Sequence, residues 1–359
     1  MVVASHTQEC LNQPPSEKAT TLQLPVIDLS CADRSATSRL IVEACEKYGF
    51  FKVVNHGVPF DAITRLEEES LRFFSRTGPE KQRVGAPNPF GYGFKNIGFN
   101  GDLGEVEYLM MDGSGGSSSP DDETLECIPP DHRPDNLRSA ARAYVEVVRG
   151  VACEILDLIT LTEELLGAPS LGGMIRAEGN DSVLRINFYP ANGGGSADVR
   201  PAASRAGGGD DVGLGFGEHT DPQVLTVLTS NDVGGLQVWV RQEAGDGDGD
   251  GDGGGSGRGW WTAVPPDPTA LWVNVGDLLQ AITNGRFESV RHRVVLTTSS
   301  KPRMSVAFFG APPLDTLISS PNQLHHQPVY RPFTWSEYKT ATYSRKLGDS
   351  RLHLFRRCE

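Results

Sequence analysis

The stretch FGEHTD, residues 216–221, places His219 and Asp221 two positions apart. In an extended chain, residues i and i+2 point to the same face of the strand, so this imidazole and this carboxylate would lie side by side. A single pair of this kind is often no more than a hydrogen-bonded histidine on a strand. The pair therefore indicates a metal site only if further ligands occur elsewhere in the chain.

A second histidine with a matching environment follows in ESVRHRVVL, residues 288–296. Strand alternation puts Val290, His292 and Val294 on one face and both flanking arginines on the other, so His292 shares the apolar side. Two histidines and one carboxylate form the facial triad that holds non-haem Fe(II) and leaves three coordination positions open. Zinc accepts the same ligand types, and the identity of the ligands alone does not exclude it.

The segment PRMSVAFFG, residues 302–310, places Arg303 and Ser305 on one strand face. Burying a guanidinium without a partner costs free energy. The alternative interpretation, which would be favoured for Arg303 taken alone, is an exposed charge on the strand. A bound dicarboxylate α-keto acid would give the buried guanidinium a partner and so offset this free-energy cost. One end would chelate the metal, and the far carboxylate would pair with Arg303 and accept a hydrogen bond from Ser305. In RINFYP, residues 185–190, Tyr189 would add its phenol, and Asn187 would line the same chamber.

The remainder of the chain predicts a β-rich fold with helices at its sides. LPVIDL (24–29) and YGFFKVVNHGV (48–58) indicate two strands with a helix between them, and an apolar stripe indicates a helix between Asn136 and Gly167. A final helix begins near Thr334. Seven short runs after Asp181 predict a sandwich or barrel. These runs are VLRINFY, VLTVLT, GLQVWV, WWTAV, LWVNV, VRHRVVL and RMSVAFF.

The composition favours a small-molecule partner over a nucleic acid or a membrane. The 359 residues carry a formal net charge of -13, whereas nucleic acids and anionic membranes require clustered Lys and Arg. The six cysteines form no C-x-x-C pair, and the chain has neither an apolar export signal nor a run of about 20 apolar residues. These features predict the reducing environment of the cytoplasm. An oligomer is possible but is not predicted.

Three Gly-rich inserts interrupt the chain at residues 112–119, 192–213 and 245–259. The last insert alternates Asp and Gly, as calcium loops do. It lacks the distal Glu and flanking helices of an EF-hand, so we interpret it as a flexible hairpin loop.

The predicted organisation is a flexible leader followed by one domain. Residues 1–21 form the leader, and residues 22–359 form the domain. The domain comprises a mixed part (22–180), a β core with the inserts (181–315) and a helical end (316–359).

The motifs HTD at 219–221, RH at 291–292, RMS at 303–305 and NFYP at 187–190 together resemble the plant 2-oxoglutarate/Fe(II) dioxygenase superfamily. The resemblance implies a mainly β fold with flanking helices around a double-stranded β-helix (jelly-roll) core. It implies His219, Asp221 and His292 as Fe(II) ligands, with Arg303, Ser305 and Tyr189 on 2-oxoglutarate. O2 is the implied second co-substrate, and ascorbate is the implied reductant.

Longer segments resemble the gibberellin 2-beta-dioxygenases. These segments include FGYGFKNIGFNGDLGEVEYLMM (90–111), VNVGDLLQAITNGRFESVRHRVV (273–295) and RPFTWSEYKTATYSRKLGDSRL (331–352). The resemblance implies hydroxylation of gibberellins at the 2-beta position, which inactivates the hormone and releases succinate and CO2.

For the substrate, we expect contacts from Lys95 and Tyr108 and a weaker one from Asn96, which replaces a basic residue common in relatives. FYPAN replaces the more usual Tyr-Pro-Pro-Cys. Two alternatives stay open: a sister dioxygenase acting on another gibberellin position or a flavonoid-type metabolite, and a non-catalytic sensor of iron and 2-oxoglutarate.

Overall fold

A computed structural model describes residues 24–97, 102–115, 135–161, 170–191, 213–241, 259–321, 327–348 and 351–357. The predicted leader and most of the three Gly-rich inserts lie outside these ranges. The insert at 245–259 connects strands that pair antiparallel as neighbours, which agrees with a position in a hairpin loop.

The helices arise where apolar residues recur at helical spacing, and in several of them a polar side chain caps the first turn. The apolar stripe predicted between Asn136 and Gly167 lies on one long helix, where its seven residues from Leu137 to Leu158 are all buried. The C-terminal helix begins where expected, because the Thr334 side chain accepts a hydrogen bond from the backbone N–H of Glu337. The helices in the described ranges are α1 (Arg34–Lys47), α2 (Phe60–Phe74), α3 (Gly78–Gln82), α4 (Asp135–Thr160), α5 (Leu171–Arg176), α6 (Asp277–Ile282) and α7 (Trp335–Tyr343), with a 3-10 turn at Leu352–Phe355.

The strands form a large sheet, a small sheet and a two-stranded pair. The large sheet has the order β1-β2-β10-β7-β12-β5-β4-β3, and the small sheet has the order β6-β11-β8-β9. Neighbouring strands pair antiparallel except β1 with β2. The strands are β1 (Val26–Asp28), β2 (Phe50–Val54), β3 (Gly91–Asn96), β4 (Leu103–Asp112), β5 (Val183–Tyr189), β6 (Leu214–His219), β7 (Leu225–Ser230), β8 (Leu236–Arg241), β9 (Gly259–Ala263), β10 (Leu271–Val275), β11 (His292–Val295), β12 (Arg303–Gly310), β13 (Leu317–Ile318) and β14 (Phe333–Thr334).

The two faces of the large sheet pack against different partners. Its outer face forms the main apolar core with α1, α2 and α4, to which Ile41, Leu66 and Tyr144 contribute. Its inner face meets the small sheet in a second cluster that includes Trp272 and Phe216. Two facing sheets with helices on the outside confirm the predicted mainly β fold with flanking helices.

Candidate active site

Strand pairing in the small sheet brings the predicted metal ligands together. His219 is the last residue of β6, His292 is the first residue of β11, and the two face each other as antiparallel partners. Asp221 follows two residues after the end of β6. Their ligand atoms all lie within 4.8 Å of one another. The structure therefore assembles in space three residues that the sequence separates by up to 73 positions.

The spacing of the three donors fits one metal ion. Oδ1 of Asp221 is 3.6 Å from Nε2 of His219 and 3.6 Å from Nε2 of His292. Two atoms that each lie about 2.1 Å from a metal can be no more than about 4.2 Å apart. Both separations are below this limit, so a single ion can contact Asp221 together with either histidine, and the three donors all lie within 4.8 Å of one another.

Hydrogen bonds orient each of these side chains toward the common point. Nδ1 of His219 donates to the carbonyl of Gly217 at 2.8 Å, and Nδ1 of His292 donates to that of Val290 at 3.2 Å. These bonds leave each Nε2 with a free lone pair. Oδ2 of Asp221 accepts from two residues of the large sheet, which leaves Oδ1 for a metal. The two donors are Thr226 at 2.6 Å and Asn274 at 2.7 Å.

The electrostatic environment keeps His219 and Asp221 in the protonation states that bind metal. Burial and the neighbouring His292 lower the pKa of His219 to about 3, so its imidazole is neutral at physiological pH. Burial raises the pKa of Asp221, but the two histidines and its two hydrogen bonds outweigh burial and bring the pKa below the usual value. His219 is thus a neutral imidazole and Asp221 a carboxylate, the forms in which these side chains bind a metal.

The predicted co-substrate residues line the inner face of β5 and β12 in matched pairs. Arg303 lies opposite Tyr189, and Ser305 lies opposite Asn187. Arg303 is 5 % exposed, and its Nε and Nη1 have no hydrogen-bond partner in the described part of the chain. Burial lowers the pKa of Arg303, which measures the cost of keeping this charge away from water. The far carboxylate of a bound 2-oxoglutarate would supply a charged hydrogen-bond partner for this guanidinium.

A cavity of about 750 Å³ between the sheets contains the triad and the co-substrate residues. Tyr108 and Asn96 also line it, and the Tyr108 hydroxyl donates to the Asn96 carbonyl at 2.8 Å. Lys95 is not among its lining residues. Its Nζ lies 3.2 Å from Glu105. The sequence-based substrate contacts thus divide into two that border the cavity and one that does not.

Arg185 of β5 is a cavity residue that the sequence-based predictions missed. Its guanidinium carbon lies 4.0 Å from the ring centre of Tyr108 and 4.9 Å from that of Phe216. Nε donates to the Asn187 side chain, whereas the buried Nη2 has no partner among the described residues. The available signal was strand alternation, because Arg185 shares the face of Asn187 and Tyr189.

Family models identify the class to which this site belongs. A model described as "2OG-Fe(II) oxygenase superfamily" matches residues 180–312, which include all three triad residues, Arg303 and Arg185. A model described as "non-haem dioxygenase in morphine synthesis N-terminal" matches residues 24–114. The protein is an oxygenase of the 2OG-Fe(II) superfamily. This class resolves the choice between Fe(II) and zinc in favour of Fe(II).

Curated relatives narrow the class further. The chain is 44 % identical to gibberellin 2-beta-dioxygenase 4 of Arabidopsis thaliana, covering 95 % of this chain and 97 % of that one. It is 43 % identical to gibberellin 2-beta-dioxygenase 2 of Oryza sativa subsp. japonica, covering 92 % and 86 %. The chain belongs to the gibberellin 2-beta-dioxygenase family.

Solved structures support the fold. A structure of JOX2 in complex with 2OG, Fe and JA is 26 % identical, with a TM-score of 0.69 over 93 % of this chain and 89 % of that one. The rice dioxygenase for auxin oxidation (DAO) is 24 % identical, with a TM-score of 0.68 over 93 % of this chain and 100 % of that one. These likenesses confirm the predicted jelly-roll core. Within the described ranges, no helix combines the length and apolar composition needed to cross a bilayer.

Proposed function

We propose that this protein hydroxylates gibberellins at the 2-beta position and so inactivates the hormone, with release of succinate and CO2. One observation carries the proposal: a single cavity holds the His219, Asp221 and His292 cluster together with Arg303 and Arg185, two buried arginines with guanidinium nitrogens that have no partner among the described residues. Family membership supports the substrate class, because the curated relatives are named for it.

Within this proposal, His219, Asp221 and His292 hold Fe(II) and leave three positions open. Fe(II) with 2-oxoglutarate supplies the oxidising power that inserts an oxygen atom of O2 into a C–H bond. Arg303 and Ser305 hold the far carboxylate of 2-oxoglutarate, with Tyr189 and Asn187 beside them. The apolar residues that surround these groups exclude water from the reacting carbon.

The substrate carboxylate is assigned to Arg185. A gibberellin is a rigid, largely apolar ring system with one carboxylate, so it needs an apolar pocket and one charged anchor. Arg185 offers a buried guanidinium nitrogen that has no partner in the described ranges, and the guanidinium lies near the rings of Tyr108 and Phe216. Lys95, the cation favoured by the sequence, is engaged by Glu105 and does not line the cavity.

Product analysis tests the proposed activity. The purified protein is incubated with Fe(II), ascorbate, 2-oxoglutarate and a panel of nineteen-carbon gibberellins and flavonoids, and the products are identified by mass spectrometry. We expect 2-beta-hydroxylated gibberellins in amounts matching the succinate released. Conversion of a flavonoid without any gibberellin turnover would disprove the assignment and leave the oxygenase class intact. Binding of both cofactors without turnover would favour the sensor.

A pair of variants tests the substrate anchor. Arg185→Met should raise the gibberellin KM strongly, by the equivalent of about 2 to 5 kcal/mol, because a buried charge pair is lost at that ligand alone. The 2-oxoglutarate KM should change little. Lys95→Met is the matched control and should leave both constants near the wild-type values. A large rise of the gibberellin KM in the Lys95 variant alone would return the anchor to the residue favoured by the sequence.

Two features predicted from the sequence stay predictions: the cytoplasmic location, and the division into a leader and one three-part domain.

A further inference from the structure

The main chain between two of the proposed metal ligands is held by residues from the C-terminal part of the protein. Thr220 separates His219 from Asp221 and lies beyond the end of β6, outside its ladder of hydrogen bonds. Arg351 donates through Nη2 to the carbonyl of Thr220 and, at 2.8 Å, to its hydroxyl. Arg351 is 5 % exposed, so this contact lies inside the protein.

Asp277 holds the next peptide unit. As the first residue of α6, it donates its backbone N–H to the carbonyl of Asp221 at 2.8 Å. Its carboxylate lies 3.4 Å from Nη2 of Arg351 and accepts a hydrogen bond from the hydroxyl of Tyr338 at 2.7 Å. The side chains of Asp277 and Arg351 are each 4 % exposed. The two residues of one buried ion pair thus hold two successive carbonyls of the ligand loop (residues 219–221): Arg351 holds that of Thr220 through its side chain, and Asp277 holds that of Asp221 through its backbone N–H.

We infer that Asp277 and Arg351 are positioning residues that set the geometry of the metal site. Neither side chain is among the three proposed ligands, and the inference rests on the triad proposed above. The orientation of the Thr220 peptide decides how far the Asp221 carboxylate lies from the imidazole of His219. Arg351 holds that peptide through the Thr220 carbonyl, and Asp277 holds the next one through the Asp221 carbonyl.

The consequence is that the C-terminal segment contributes to metal retention. Tyr338 belongs to α7, and Arg351 lies between α7 and the C-terminal 3-10 turn. Arg351 contacts the ligand loop directly, and Tyr338 is connected to it through Asp277. Loss of these contacts would let the carboxylate drift relative to the imidazoles, and the metal would dissociate more readily.

A purely structural role for the pair makes a different prediction, because it would change stability but not metal affinity. The chain offers a matched control in Lys81 and Glu107, another buried ion pair with side-chain exposures of 8 % and 14 %. Lys81 joins α3 to β4, and neither residue touches the ligand loop. Breaking either pair leaves a buried charge without its partner.

Metal binding to the full-length protein tests the inference. Co(II) is the probe, and its dissociation constant is measured by anaerobic equilibrium dialysis for wild type, Arg351→Met, Arg351→Lys and Lys81→Met. We expect Arg351→Met to weaken Co(II) binding by about 10- to 100-fold, the usual effect of removing a residue that orients ligands. The Co(II) affinity of Arg351→Lys should lie between those of wild type and Arg351→Met, because an ammonium group keeps the positive charge but cannot reproduce the geometry of the guanidinium contacts. Lys81→Met should lower the unfolding temperature and leave the Co(II) affinity unchanged.

Wild-type Co(II) affinity in a folded Arg351→Met variant would overturn the inference. Should that variant fail to fold, wild-type affinity in Arg351→Lys would overturn it equally. Equal weakening of Co(II) binding in Lys81→Met would also overturn it, since the effect would then follow stability. Absence of Co(II) binding by the wild-type protein would instead contradict the proposed triad, so the two failures are distinguishable.

Discussion

The two faces of the large sheet carry side chains of opposite character although they belong to the same strands. Along β5, Leu184 and Ile186 are completely buried in the main apolar core, whereas Arg185 and Asn187 line the cavity. The alternation of side chains in a strand separates these roles residue by residue.

The neighbouring strand β12 repeats the pattern. Val306 and Phe308 pack in the core, and Arg303 and Ser305 line the cavity. One face supplies stability and the other supplies binding groups, so substitutions on the two faces should affect different measured quantities. The four predictions below test this separation in order of decreasing effect.

The largest expected effect is on the cavity side. His219→Ala, Asp221→Ala and His292→Ala should each abolish succinate release, because a metal with three open positions cannot spare a protein ligand. Near-UV circular dichroism should show each variant folded. Full activity with Fe(II) in any one of them would contradict the triad.

On the opposite face, Phe308→Ala should lower the free energy of unfolding by about 3 to 5 kcal/mol, since it opens a void at a fully buried position. Urea titration measures the change. The remaining folded protein should keep the wild-type KM for 2-oxoglutarate. A large change in that KM with little loss of stability would show that the two faces are not separable.

Arg303→Ala should raise the apparent 2-oxoglutarate requirement by the equivalent of about 2 to 5 kcal/mol, because a buried charge-assisted pair is lost at this ligand. Initial rates at varied 2-oxoglutarate and at varied gibberellin separate the two constants. Arg293→Ala, on β11 beside Gln237, is the control and should leave the 2-oxoglutarate requirement unchanged. An unchanged requirement in Arg303→Ala would place the carboxylate elsewhere.

The smallest effect is expected at the ion pair between Lys52 and Asp267, because both side chains are partly exposed. The hydrogen bonds from Lys52 and Thr269 lower the pKa of Asp267 from 3.8 to about 2. Because the pKa of Asp267 is lower in the folded than in the unfolded protein, its ionised form stabilises the fold at pH values above the unfolded pKa. This stabilisation is lost as the pH falls through the folded pKa of about 2.

Asp267→Asn should therefore cost about 1 kcal/mol or less at pH 7, and the difference from wild type should shrink as the pH falls from 3.8 through about 2. Unfolding curves across this pH range provide the measurement. A difference that grows as the pH falls would contradict the assigned direction of the pKa shift.

The outcomes for individual strands show what local sequence can and cannot predict. VLRINFY corresponds residue for residue to β5, because its apolar positions alternate and its length suits a strand. By contrast, β6 was not predicted, since Gly215 and Gly217 give little strand propensity. The structure explains Gly215, because a Cβ there would lie 2.8 Å from the ring of Tyr189. That requirement is tertiary and leaves no local signal.

The candidate site follows the same division. His219, Asp221 and His292 were predicted as a set because their residue types and strand positions point to one chemistry, and the structure brings them together. The inner lining from β3 and β4 was only partly anticipated. Alternation of Val106, Tyr108 and Met110 in β4 was a usable signal. Whether Lys95 or Arg185 borders the cavity depends on sheet packing, which residue spacing alone does not determine.

The division of the site between the two sheets has a consequence for the outcome of the reaction. Both histidines belong to the small sheet, whereas Arg185, Arg303 and their neighbours belong to the large one. With the roles proposed for these residues, the place where the substrate skeleton meets the metal would be set by the packing of one sheet on the other. Regioselectivity, and the fraction of 2-oxoglutarate consumed without product, would then depend on the spacing between the sheets as well as on the anchoring residues.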